Sequence, residues 1–225
     1  MSDNKRVSVP FNTGRGIGIW PKLDKPDTKF AAEGVYTTKL KLEGEAAEQR
    51  IKRITDLANK QLEESRAELV SKKKHAEAKK LRVTDLPFKA EYDGDGNETG
   101  ATIFSFKMKA SGVKKDGKPW TRRPAIFDAA GKAIPAARVP PVGGGSVLVV
   151  AGNDEPYCNP KGEVGVSARL EAVQIIELKT FADKDAAQFG FGAEEGYEAE
   201  EGVTPHGFGD ESAPATGEPA SGDDF

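Results

Sequence analysis

Cysteine, histidine and long apolar runs are scarce in this chain of 225 residues. Cys158 is the only cysteine, so no disulfide can form within the chain. The two histidines, His75 and His206, lie far apart, which argues against a zinc site. No metal and no cofactor is expected. No run approaches 18 apolar residues, so no membrane span is expected. The opening "MSDNKRVSVPFN" has no apolar stretch of the kind a secretory leader needs. The expected location is therefore the cytoplasm, of the producing cell or of a host cell. The motifs of catalysis are missing as well: there is no GxSxG, HExxH, Walker or CxxC sequence. "GRGIG" at 14–18 runs into Trp20-Pro21 rather than a helix, so it is not a dinucleotide fingerprint. "DGDGNETG" lacks glycine at its sixth position (Glu98) and an acid at its twelfth (Phe104), so it is a turn and not a calcium loop. Catalytic residues are not expected, and the chain reads as a binding protein.

What is present is charge, unevenly placed. The net charge of -3 conceals a body and a tail of opposite sign. Residues 1–180 hold 32 Lys and Arg against 24 Asp and Glu, a balance of +8. Residues 181–225 hold one Lys against 12 acids, a balance of -11. Such asymmetry suggests a polyanion-binding body with an acidic arm. After Phe181 no apolar periodicity is sustained, and a segment of that kind cannot bury enough surface to offset its ordering entropy. The expected organisation is a folded domain over 1–181 and a disordered acidic tail over 182–225.

Within the body, Val7, Val9 and Phe11 alternate as a short strand, and Pro21 and Pro26 are expected to break regular structure after it. "GVYTTKLKLEG" places Tyr36, Thr38, Leu40 and Leu42 on one face and Lys39 and Lys41 on the other. Residues 45–80 have no internal Pro or Gly. Ala47, Ile51, Ile54, Ala58, Leu62 and Leu69 trace an apolar stripe along one long helix. Phe104, Phe106 and Met108 share a face opposite Ser105, Lys107 and Lys109, which reads as another half-buried strand. "GGGSVLVV" and "VGVSARLEAVQIIEL" supply two more strands. Five or six short strands, glycine-rich turns and one helix suggest a small barrel, and a five-stranded OB-fold is the barrel that binds oligonucleotides.

Single-stranded nucleic acid asks for cations along the backbone and flat side chains under the bases. Both kinds of residue lie close together at Arg15 with Trp20, at Tyr36 with Lys39 and Lys41, and at Trp120 with Arg122 and Arg123. They meet again at Tyr157 with Lys161, in a segment that reads as a loop between Pro156 and Pro160. Tyr36 also shares the face of Leu40 and Leu42, so core and ligand roles both stay open for it. Residue types alone do not separate DNA from RNA. An adaptor acting mainly through its acidic tail is the alternative from another class.

"GVYTTKLKL", "LPF" followed by "FSFKMKASG", "VPPVGGGSVLVV", "EPY", "VGVSARLEAVQIIELKTF" and the terminal "DDF" occur in this order. Together they resemble the replication single-stranded DNA-binding proteins of short-tailed coliphages, over most of 34–181 and at the last three residues. The resemblance implies an OB-fold body with a long helix that binds single-stranded DNA without sequence preference. It implies roles in DNA replication, recombination and repair, and leaves room for a homodimer. It further implies that the tail, ending in Asp223, Asp224 and Phe225, contacts the replicative DNA polymerase and the helicase–primase and can occupy the DNA groove. Tyr157 falls on the family's stacking tyrosine. Where the family carries alternating lysines after "GGGS", this chain has Val147-Leu148-Val149-Val150-Ala151. That departure shifts the expected phosphate contacts to Lys107, Lys109, Arg122 and Arg123.

Overall fold

The computed structural model describes residues 7–180 except Phe30 and Asp85. The expectations on residues 182–225, including Asp223, Asp224 and Phe225, lie outside the described residues.

Alternation builds the barrel. In β2 (Val35–Leu42) the inward set is Tyr36, Thr38, Leu40 and Leu42, and in β5 (Glu98–Lys109) it includes Phe104, Phe106 and Met108. β1 (Val9–Asp27) pairs antiparallel with β2 and with β9 (Val147–Cys158). β2 pairs antiparallel with β5, and β10 (Glu163–Glu177) pairs with both β9 and β5. The circuit β1-β2-β5-β10-β9 therefore closes on itself, its one parallel contact being Arg169 beside Lys107. Closure needs tight coiling of β9 against β10. At Gly152 a Cβ would lie 1.9 Å from the Arg169 carbonyl oxygen, so only glycine permits that approach. Phe104, Leu40, Leu148, Leu170 and Val150 fill the interior with no exposure to solvent. Each such side chain stabilises the fold by about 1.5–3 kcal/mol.

The strand expected to stop near Pro21 continues to Asp27. Two irregularities make this possible. Ile19 faces Lys39 and Lys22 faces Thr37, so β1 uses three steps where β2 uses two, and a second slip follows before Asp27. A bulge is where a strand tolerates a proline, because the missing N–H has no ladder partner to serve. The loop reading of Tyr157 is also corrected: β9 runs through Pro156 to Cys158, and Tyr157 pairs with Gly165.

The long helix is interrupted. α1 spans Gly44–Ser71 and α2 spans His75–Lys80. Between them Lys73 takes a left-handed φ of 59°, its N–H donates to the Val70 carbonyl, and the Lys74 N–H donates to the Leu69 carbonyl. This is a Schellman closure with lysine in the position that glycine usually takes, which hides the stop from sequence. The chain then returns as β3 (Arg82–Val83), parallel to β10. β4 (Phe88–Tyr92) pairs with β5 as a hairpin. β6 (Ser111–Val113) and β7 (Pro119–Thr121) form a separate two-stranded hairpin. β8 (Ala125–Phe127) runs parallel to the end of β10. No helix among the described residues is long and apolar enough to cross a membrane.

α1 docks on the barrel through Ala47, Ile54 and Ala58, and through Arg50. The Arg50 guanidinium is buried and donates from Nη1 and Nη2 to both Asp154 carboxylate oxygens, at 2.5 and 2.7 Å. Its carbon also sits 3.8 Å from the centroid of the Phe11 ring. Removing one partner of a buried pair strands the other, at a cost of about 3–5 kcal/mol. Asp154→Ala is expected to lower unfolding free energy by about that amount in chemical denaturation. Arg50→Met with Asp154→Leu should recover most of it. Equal losses in the single and double variants would show that the pair itself holds the helix.

Candidate nucleic-acid interface

The outer faces of β1, β2 and β5 carry the residues that alternation turns away from the core. Rows of neighbours run across them: Ile19, Lys39 and Ser105; then Lys22, Thr37 and Lys107, with Arg169 of β10 next in register. A groove of about 550 Å³ follows this surface, bordered by Trp20 and Lys22 on β1, Lys39 on β2, Lys107 on β5, and Tyr157 and Ser167 beyond. Buried Phe106, Val166 and Ala168 form part of its floor. Lys22, Lys39 and Lys107 form no ion pair among the described residues, and one acid, Asp27, stands at the margin.

Trp20 is the extra residue of the first β1 bulge. Its φ is 52° and its side chain is 80% exposed. A bulky residue in the left-handed region costs about 1–3 kcal/mol and persists only where its surroundings enforce it. Here Gly18 is pinned on both sides, its N–H donating to Ser146 and its carbonyl accepting from Gly145. Pro21 is buried immediately after. The bulge turns the indole outward at the groove mouth. Tyr157, 40% exposed, stands on the far side.

A second cationic cluster adjoins the groove. Arg122 donates through Nε to the Lys109 carbonyl at 2.9 Å, and its guanidinium carbon is 4.9 Å from the Trp120 ring centroid. Burial first, and then the positive charge of Arg169, push the Arg122 guanidinium below its ordinary pKa. Glu155 and Glu171 oppose that shift. Glu155 also accepts from Arg169 at 2.5 Å. An anion placed between Arg122 and Arg169 would relieve their mutual repulsion.

The remaining nominees separate. Tyr36 is a correction: its ring is 7% exposed in the core beside Leu40 and Phe106, and it presents no face to a ligand. Trp120 is half-buried, its ring lying against Gly112. Lys41 is held by Glu91 at 3.2 Å and by Glu43 at 3.8 Å, and Lys109 by Glu33 at 3.1 Å, so their charges are compensated. The Thr99 hydroxyl in the first place, with Lys41, holds the Glu91 carboxyl below its usual range. Arg15 is exposed on β1 but lies four residues before Ile19, about 13 Å along the strand, and does not line the groove. Arg123 turns the opposite way from Arg122 and donates to the Asp24 carbonyl. Lys161 is exposed in the β9–β10 turn and lines a different cleft, against α1 and α2.

One groove residue, Lys22, and one neighbour of the groove, Arg169, escape the sequence reading. Lys22 sits in the segment that its prolines mark as irregular. Arg169 lies on the outward set of β10, where Ser167, Arg169 and Glu171 alternate with Ala168 and Leu170. That alternation was the signal available for it.

A closed five-stranded barrel with a basic, aromatic outer groove defines the oligonucleotide-binding class of OB-fold. The family model described as the single-stranded DNA-binding protein of bacteriophage T7 matches residues 18–178, and the chain belongs to that family. Among solved structures, it is similar to gp2.5, a single-stranded DNA-binding protein encoded by bacteriophage T7. The identity there is 27% and the TM-score 0.62, over 86% of this chain and 100% of the other. The single-stranded DNA-binding protein of bacteriophage Enc34, in complex with single-stranded DNA, is 19% identical with a TM-score of 0.47. That match covers 76% of this chain and 89% of the other. A comparison with curated protein sequences returned no match.

The two tryptophans differ in a way that spectroscopy resolves. In a Trp120→Phe variant, the emission of Trp20 is expected to be that of a solvated indole and to be readily quenched by acrylamide. A blue-shifted, protected emission would place Trp20 against the barrel and remove it from the groove mouth.

Proposed function

We propose that this protein binds single-stranded DNA without sequence preference in phage replication and recombination, through the groove bounded by Trp20 and Tyr157. The observation that carries the proposal is the pairing pattern of the cations. Among the described residues Lys22, Lys39 and Lys107 line an apolar-floored groove without an ion-pair partner, while Lys41 and Lys109, further along β2 and β5, are matched. Unmatched cations beside open aromatic faces suit a phosphate chain with exposed bases. Arg169, Arg122 and Trp120 extend the track onto the β6–β7 hairpin. Membership of the phage single-stranded DNA-binding family supports the same reading. The protein acts by binding: it covers single strands in the cytoplasm of the host cell.

Log affinity for oligo-dT is expected to fall linearly with log salt, with a slope of about -0.7 per phosphate neutralised. Lys39→Gln and Lys107→Gln should each make that slope shallower by about one such increment. Salt-independent affinity would refute the electrostatic part of the proposal. Equal affinity for matched RNA would assign the groove to nucleic acid in general.

The tail is proposed to recruit the replicative DNA polymerase and the helicase–primase through Asp223, Asp224 and Phe225. It is also proposed to compete with DNA for the basic groove. Its -11 balance against a +8 body supports the second role, and tethering keeps its effective concentration high. Screening acts within about 8 Å at physiological ionic strength, so the competition should weaken with salt. Truncation after residue 184 is expected to raise affinity for single strands, most at low salt. Deleting Phe225 alone should leave DNA affinity near that of the parent and weaken capture of the polymerase or the helicase–primase. Lower DNA affinity after truncation would contradict the competitive role.

A further inference from the structure

We infer that Gly165 positions Tyr157 for stacking, and that Gly112 does the same for Trp120; the inference rests on the groove reading above. Tyr157 and Gly165 are direct cross-strand partners in β9 and β10. Gly112 and Trp120 are direct partners in the β6–β7 hairpin. A Cβ at Gly165 would stand 2.6 Å from the Tyr157 Oη and 2.8 Å from its Cζ. One at Gly112 would stand 2.7 Å from the Trp120 Cζ2 and 2.9 Å from its Cε2. Each ring therefore lies where the partner's side chain would be. Neither glycine has a left-handed φ, so the backbone conformation does not demand glycine. The ring does.

Two ordinary residues in this relation stand side by side, with Cβ atoms about 4.5–5.5 Å apart and side chains roughly perpendicular to the sheet. Opposite glycine, an aromatic instead folds across the partner strand and covers its bare backbone, as in aromatic rescue of glycine. At Tyr157 one face of the ring rests on peptide and the other is left for a ligand, whereas the Trp120 ring also carries the Arg122 guanidinium, 4.9 Å from its centroid. A ring already laid flat loses little rotamer freedom when a base stacks on it, so less of the stacking energy is spent on ordering. Two of the three aromatics nominated as platforms, Tyr157 and Trp120, share this device on separate strand pairs, and Trp20 does not.

The test is a double-mutant cycle in the full chain, with labelled oligo-dT as the probe: Tyr157→Ala, Gly165→Ala, and both together. Gly165→Ala is expected to weaken binding about 5- to 150-fold, the range covered by one stacked base. The salt slope should stay that of the parent, because no phosphate contact is lost. The double variant should bind no more weakly than Tyr157→Ala alone, because without the ring the added methyl has nothing to displace. Parent-like binding by Gly165→Ala, or losses that multiply in the double variant, would overturn the inference. Should Gly165→Ala fail to fold, the cycle is read in thermal melting. There Tyr157→Ala must restore folding, and a double variant that stays unfolded overturns the inference too. If Tyr157→Ala weakens binding and Gly165→Ala does not, the glycine role falls and the groove reading stands. If Tyr157→Ala itself binds like the parent, both fall.

Discussion

The buried ion pair between Arg50 and Asp154 is the constraint from which the working surface follows. α1 is mostly polar, and its buried apolar contribution is narrow: Ala47, Ile54 and Ala58. A stripe that slender does not by itself fix where a helix of 28 residues lies. The bidentate contact does, because both guanidinium nitrogens must meet both carboxylate oxygens in one plane. Phe11 of β1 stacks beneath the guanidinium, and Arg53 reaches the Pro10 carbonyl and the same carboxylate. One acid thus ties α1, β1 and β9 together. Asp154 stands three residues before Tyr157 on β9 and opposite Ala168 on β10. Locking it holds β9 in place, and the register of β9 with β10 is what sets Tyr157 against Gly165.

Such a pair is costly to bury, and Arg50 keeps its Nε without a hydrogen-bond partner. Well-packed apolar residues would often be as stable, so raw stability is a poor explanation for retaining it. Directionality is a better one. An apolar contact tolerates rotation of the helix about its axis, whereas a forked contact does not. A fixed helix position keeps the strands beneath it, and the aromatic rings and cations they carry, in one arrangement.

Much of the barrel was legible because alternation is a local signal. β2 and β5 divide into inward and outward sets by the parity of their residues, and Phe104, Phe106, Lys39 and Lys107 all follow it. What stayed hidden depended on partners distant in the chain. Pro21 and Pro26 read as breakers, yet bulges against β2 absorb them, and a bulge is a property of two strands. Lys73 ends α1 in a conformation that lysine rarely takes, so composition gave no stop. Arg50 has the helical spacing of a core residue and the chemistry of a surface one, and only Asp154, 104 residues later, decides between them. Tyr36 followed its parity into the core, against its appeal as an aromatic beside lysines.

The candidate groove was half legible, for a reason that concerns charge more than shape. A sequence shows which residues are cationic, but not which cations have already been neutralised. Lys41 and Lys109 lie on the same strands as Lys39 and Lys107 and look equivalent in one dimension. Folding brings Glu91, Glu43 and Glu33 to the first two and, among the described residues, no ion-pair partner to the second two. Ion pairs at or near the surface add little stability. Their consequence here is subtractive: they silence cations at the margins and leave an uncompensated row along the groove, between the two outward-facing rings. A phosphate chain entering there displaces counterions and not carboxylates. The floor beneath it is apolar and the walls are flat rings, so bases have somewhere to go once their backbone is held. On the proposed reading, selectivity for an unpaired strand would need no base-specific contact, because a duplex keeps its base faces stacked and out of reach.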